Sequence, residues 1–138
     1  MAAFGTYRGI VGGGVALALL AGCAVLDMKD NRVQDLLTMS TPKFMAARQV
    51  ALDMTRRCAG YGFNTRIDEE LARERGRRGM SVAVMNRAYG ASEIEIDVTR
   101  RSTAARYGSD YAALDGCTVL DQETARGAAL SLFAEKKG

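Results

Sequence analysis

The chain has 138 residues, with 19 Lys and Arg against 16 Asp and Glu, three cysteines, no histidine and an aromatic content of 7%. A formal charge of +3 is too weak to define a nucleic-acid-binding surface, and the lack of histidine removes the commonest general base and the commonest transition-metal ligand. The many Ala, Arg, Glu, Met and Leu residues lean towards helix, and the length suits one small domain.

First along the chain is a segment with the parts of a secretory signal: one positive charge at Arg8, an apolar core from Ile10 to Leu20, and the small residues Ala21 and Gly22 before Cys23. A membrane-spanning helix needs roughly 20 apolar residues to cross about 30 Å of hydrocarbon. The run here includes Gly12, Gly13 and Gly14 and ends by Asp27, which is too short to favour a span. Leu20-Ala21-Gly22-Cys23 resembles the lipobox of bacterial lipoproteins. That resemblance implies diacylation of the Cys23 thiol and cleavage just before it, so that residues 1–22 are a signal peptide, 23–40 a lipidated N-terminus with a short helix, and 41–138 a disulfide-stabilised helical domain. It also implies a protein held on a bacterial membrane and facing the periplasm, with Ala24 rather than Asp after the cysteine inclining it to the outer membrane over the inner. Ordinary secretion and a retained anchor are the alternatives. Cleavage leaves 116 residues, and the loss of Arg8 lowers the formal charge to +2.

With Cys23 assigned to lipid, Cys58 and Cys117 remain, an even pair in a compartment where disulfides persist. A bridge between them is expected, two unrelated buried thiols being the alternative. Closing that loop is worth on the order of 4 kcal/mol in the chain-entropy model, a large share of the net stability of a small domain.

Asp27 is expected to cap a short helix whose Val33, Leu36 and Leu37 share a face, ended by the turn Ser40-Thr41-Pro42. Pro42 suits the first position of the next helix, with Thr41 as its cap. There Phe44, Ala47, Ala51, Met54 and Cys58 recur at spacings of three and four, one buried stripe that brings the cysteine to the core face. Gly60 and Gly62 break the run. Asn64 can cap a third helix through Ile67 and Leu71, with Asp68, Glu69 and Glu70 in its first turn where acids suit the dipole.

Two readings compete between Gly76 and Thr99. Ser81-Val82-Ala83-Val84 and Glu93 to Val98 alternate with period two around the turn-like Tyr89-Gly90-Ala91-Ser92, the pattern of a β-hairpin. Against this, Ser92 and Glu95 form a capping box, and Ile94, Val98 and Ala105 continue at helical spacing. The last helix is expected to start at Asp115 or Thr118, to carry Cys117, Leu120, Ala128 and Leu132 on one side, and to reach Phe133 with Lys136 and Lys137 at its C-terminal end. Three apolar faces should then meet at the bridge: Phe44, Ala51 and Met54; Leu120, Ala128 and Leu132; and Ile94 with Val98. The predicted class is all-α, a small domain of about four to five helices with one disulfide. The alternative is α+β with a short hairpin around residues 81–99.

The order of these features is similar to a family of small secreted alphaproteobacterial proteins of unknown function. The features are a cysteine ending an early helix, Gly90-Ala91-Ser92-Glu93-Ile94-Glu95-Ile96 opening another, and Cys117 followed by Glu123-Thr124-Ala125-Arg126-Gly127 and a closing apolar stretch. The similarity covers residues from about 45 to 134. It implies helix over hairpin and no particular activity.

Catalytic motifs are weak. Ser40-Thr41-Pro42-Lys43 fits S-x-x-K, in which a helix-start serine is assisted by a lysine one turn on, but the chain has neither S-D-N nor K-T-G, and a helix cap explains the serine. Asp68-Glu69-Glu70 are adjacent on a helix and point in different directions, so they do not converge on a cation. No catalytic residue, cofactor or metal ligand is therefore predicted. One surface feature remains: the basic run Arg73, Arg75, Arg77 and Arg78, later joined by Arg100 and Arg101, which could meet anionic lipid headgroups at about 1 kcal/mol per charge. An ordinary solvated helix face, with Glu69, Glu70 and Glu74 interleaved, is the other reading. The function expected is a non-enzymatic accessory or protein-interaction module of the cell envelope, or alternatively a small-ligand carrier or inhibitor domain. Its partners would be the membrane, through the lipid, and an envelope protein, not nucleic acid.

Overall fold

The structure, a computed structural model, describes residues 26–80 and 89–138. Cys23 with its lipobox and the Ser81–Val84 half of the expected hairpin lie outside those residues.

Helix α1 spans Asn31–Thr38, and its N-cap is Asp30, whose carboxylate accepts from the Arg32 backbone N–H. Asp27 instead makes the turn before it, accepting from Lys29 N and Asp30 N. The shift follows from position: a cap must stand just before the first helical residue. Val33, Leu36 and Leu37 are all buried, packed in one cluster with Phe44, Ala51, Leu71 and Phe133. Helix α2, Thr41–Arg56, begins after Ser40 with Pro42 in its first turn, where a missing N–H costs nothing. Phe44, Ala51 and Met54 are buried as the stripe predicts, together with Val50, and Cys58 follows just past the helix end.

Strand β1, Tyr61–Phe63, then pairs antiparallel with β2, Ala134–Lys136, setting Tyr61 opposite Lys136 and Phe63 opposite Ala134. This pair joins the middle of the chain to its end. Helix α3, Thr65–Arg77, is capped by Asn64, whose Oδ1 accepts from Ile67 N at 3.1 Å. Helix α4 runs from Tyr89 to Tyr107, so Glu93–Val98 is helix and the strand reading fails there. A 3-10 turn at Tyr111–Ala113 leads to α5, Gly116–Ala125, capped by Asp115 through Thr118 N at 3.2 Å. The class is all-α: five helices among the described residues, one short strand pair and one disulfide.

Two expectations about the second half need correction. Helix α5 does not reach Phe133. It stops at Ala125 because Gly127 takes φ +68°, and Ala128 N reaches back to Glu123 O while Gly127 N bonds Thr124 O, the pattern of a Schellman cap. Ala128 precedes a 3-10 turn, Ala129–Phe133, that contains Leu132, and Lys136 lies in β2 with its ammonium 5.9 Å from the Tyr61 ring centre. Nor do Ile94 and Val98 turn inward: they are 68% and 51% exposed. The face that α4 buries carries Ser92 and Thr103, small polar residues that let it lie close along α2, and Thr103 Oγ1 satisfies itself on Thr99 O at 2.8 Å. Ser92 sits in the first turn rather than at the cap, its hydroxyl buried without a hydrogen-bond partner among the described residues.

The core forms two adjoining clusters. Val33, Leu36, Leu37, Phe44, Ala51, Leu71 and Phe133 make the first, where Phe133 meets Phe44 edge-on and stacks on Phe63, both with ring centres 5.8 Å apart. Each such ring contributes about 1.5–3 kcal/mol through burial. The second gathers Val50, Met54, Tyr61, Leu114, Val119 and Leu120 around Cys58. Cys58 and Cys117 are bonded, their Cα atoms 4.9 Å apart. Gly116 permits that approach: a Cβ there would collide with Met54 O and stand 2.9 Å from Arg57 Cβ.

Candidate functional site

Val119, Leu120 and Glu123 share the inward side of α5, so its apolar stripe ends in a carboxylate with 0% side-chain exposure. A buried charge is tolerated only when its lone pairs are filled. Here Oε1 accepts from Arg106 Nη1 at 2.9 Å and from the Tyr107 hydroxyl at 2.7 Å, both at the end of α4. Oε2 accepts from Arg126 Nη2 at 2.6 Å, one turn on. Burial pushes the Glu123 carboxyl up, but the bonds from Arg126, Tyr107 and Arg106 outweigh it and hold the group below its ordinary range. Tyr107, half-buried and donating to that carboxylate, is pushed up to about 12. The Glu123 carboxylate is thus a charge held by three donors, Arg106, Tyr107 and Arg126.

Beside Glu123 opens a cleft of about 280 Å³. Met39, Lys43 and Ala47 line one wall, Thr99, Thr103 and Arg106 the α4 wall, and Ala128, Ala129 and Leu130 the chain after the Schellman cap. The far side of the same helix pair is tied by Asp53, which accepts from Arg100 Nη2 at 3.0 Å, from the Tyr111 hydroxyl at 2.7 Å and from Gln49 at 2.9 Å. Burial raises the Asp53 carboxyl, yet these bonds leave it net lowered. Together the two carboxylates tie the C-terminal half of α4 to α2 through Arg100 and to α5 through Arg106 and Tyr107.

The basic run does not stay together. Arg75 is 2% exposed: its guanidinium donates to Leu36 O and Met39 O, both at 2.8 Å, and lies 4.4 Å from the centre of the Phe44 ring. It fills the carbonyls at the C-terminal end of α1, where a cation suits the dipole, and has no surface left for a headgroup. Arg73, Arg77 and Arg78 are exposed, paired with Glu70, Glu74 and Glu74 respectively. Asp68, in the acidic triplet, is engaged by Arg48 through two bonds of 2.7 and 2.8 Å. Among the described residues no group of three Cys, Asp or Glu could hold a metal ion. Ser40 and Lys43 stand at the start of α2, where Ser40 is the N-cap residue and makes no side-chain capping bond.

Sequence reasoning passed over Glu123, Arg106 and Arg126 as a site. A usable signal was present: Glu123 continues the i, i+3 and i+4 spacing of Val119 and Leu120, and an acid on an apolar stripe demands a cation, which Arg126 supplies three residues later. The arrangement defines a small disulfide-closed helical domain with a cleft backed by a buried, doubly paired carboxylate. Compared with family models, with curated proteins and with solved structures, the chain shows no significant match.

Proposed function

We propose that this protein is a lipoprotein tethered to a bacterial membrane on its periplasmic side, where it serves as a non-enzymatic accessory or protein-interaction module of the cell envelope. The observation that carries the reading is the partition of the three cysteines. Two are joined across the fold, as suits an oxidising compartment, and the third is the cysteine of Leu20-Ala21-Gly22-Cys23. Only seven residues, 24–30, lie between Cys23 and the start of α1, a reach of at most about 28 Å at full extension, so the domain rides close to the headgroups. Because Arg73, Arg77 and Arg78 already face glutamates, they add little to the hold of the acyl chains.

Cys23→Ser tests the tether: accumulation of uncut precursor or release into the soluble fraction is expected. A variant still processed and still on the membrane after a high-salt wash would refute it. Crosslinking in intact membranes, followed by recovery of one stoichiometric protein, tests the interaction role, and density fractionation with outer-membrane markers tests the sorting. A second reading, a carrier for a small ligand, is favoured by the cleft beside Glu123.

A further inference from the structure

Charge in the cleft is uneven, with three cations, Lys43, Arg106 and Arg126, set against two carboxylates, Glu95 and Glu123. Glu95 stands eleven residues before Arg106 on α4, about 16 Å along the helix axis, so it does not neutralise the arginine end. At that end a single carboxylate serves two guanidiniums. Arg106 gives one nitrogen to Oε1 and Arg126 one to Oε2, and their remaining nitrogens make no hydrogen bond among the described residues. Each guanidinium has five donors in a rigid fork, and the two side chains keep 43% and 50% of their surface open. Next to these donors the lining turns apolar, with Met39, Ala47, Ala129 and Leu130.

We propose that the cleft binds a small oxyanion, a carboxylate or phosphate monoester, borne on a short apolar chain. The oxyanion sits on the free N–H groups of Arg106 and Arg126, and the chain lies against Met39, Ala47 and Leu130. This inference rests on the carrier reading of the same cleft and names its ligand class. Glu123 does two things for such a ligand. It fixes both guanidiniums before binding, so little side-chain entropy remains to be lost, and it supplies one negative charge where two positive ones stand, leaving a net attraction for an anion. The volume of about 280 Å³ falls at the lower edge of ordinary ligand pockets, about 300 Å³, and limits the apolar part to a short chain.

The test titrates hexanoate, hexyl phosphate and hexanol into the full-length protein held in phospholipid nanodiscs, with empty nanodiscs as the blank. The readout is the side-chain Nε–H resonances of Arg106 and Arg126 by NMR. Hexanoate or hexyl phosphate should shift both signals, hexanol should bind at least tenfold more weakly, and Arg126→Gln should weaken the anion at least tenfold. Whichever anion binds tighter distinguishes carboxylate from phosphate chemistry. Ala129→Leu leaves every charge in place and fills the apolar part, so it should abolish binding even if Arg126→Gln proves unstable. Equal binding of hexanol and hexanoate, unchanged by Arg126→Gln, would overturn the anion assignment and leave the carrier reading standing. Absence of any shift with all three probes would overturn both.

Discussion

Breaking the Cys58–Cys117 bond should unfold much of the domain near body temperature. The bridge closes 59 residues, and the chain-entropy relation for a loop of that length gives about 14 cal/mol/K, or about 4 kcal/mol at 25 °C. Reductant removes only the crosslink, whereas the Cys58→Ala, Cys117→Ala variant also removes sulfur from the cluster of Val50, Met54, Leu114 and Val119. A deletion of that size in a packed core costs about 1 kcal/mol more. For a domain of this length 4 kcal/mol corresponds to a fall in Tm on the order of 15 °C. Thermal unfolding followed by circular dichroism, with and without reductant and for the double variant, should therefore give two steps down: a large one on reduction and a small further one for the variant. A reduced protein melting within about 3 °C of the oxidised one would refute the reasoning, because the closure length alone forbids so small an effect in a two-state domain. Free thiols on both cysteines in protein taken from the periplasm would refute it more simply.

Three further perturbations bear on the packing. Gly116→Ala should cost about 1–3 kcal/mol in chemical denaturation, since its methyl meets Met54 O and the Arg57 backbone, while Gly76→Ala, which meets nothing within 4 Å, should gain about 0.5–1 kcal/mol; equal effects would contradict the close approach of α5 to α2. Arg75→Ala should lose about 2–3 kcal/mol by leaving the carbonyls of Leu36 and Met39 unfilled, whereas Arg73→Ala should stay within about 0.5 kcal/mol; a neutral Arg75→Ala would show that the guanidinium is not inside. Glu123 and Asp53 are both held below their ordinary values of 4.5 and 3.8, so their contribution is complete above pH 5 and is lost as pH falls through the folded values. Glu123→Gln should lower stability at pH 7 by about 1.5–3 kcal/mol and flatten the decline as pH falls below the ordinary carboxyl value; an unchanged slope would remove Glu123 from the ionised cluster.

What the sequence made legible was local. The apolar triplet of α1, the stripe of α2 and the caps Asn64 and Asp115 all depend on residues within one or two turns, and they stand where the spacing puts them. The bridge could be read from the cysteine count once Cys23 was set aside by its resemblance to a lipobox cysteine, since that left a single pair. Misreadings arose where a period matched without a packing partner. Ile94 and Val98 keep helical spacing, but closeness to α2 selected Ser92 and Thr103 for the inward face instead. Leu120, Ala128 and Leu132 also fit one helical face, and the positive φ at Gly127 cancelled the pattern between them. Arg75 looks like its neighbours Arg73 and Arg77 in sequence; only the arrival of Phe44 and the end of α1 beside it makes it a core residue. For the cleft the missing information was likewise non-local, since Arg106 and Glu123 lie 17 residues apart on different helices.

The central claim, a disulfide-closed domain carried on a lipidated cysteine, is most directly tested by the intact mass of the protein, produced with its full N-terminus in a bacterium and extracted from its membranes. The account predicts a chain that begins at Cys23, gains the mass of acyl chains on that residue, and lacks two hydrogens for the Cys58–Cys117 bond. A mass matching the unprocessed chain from Met1, or a processed chain without lipid, would contradict it.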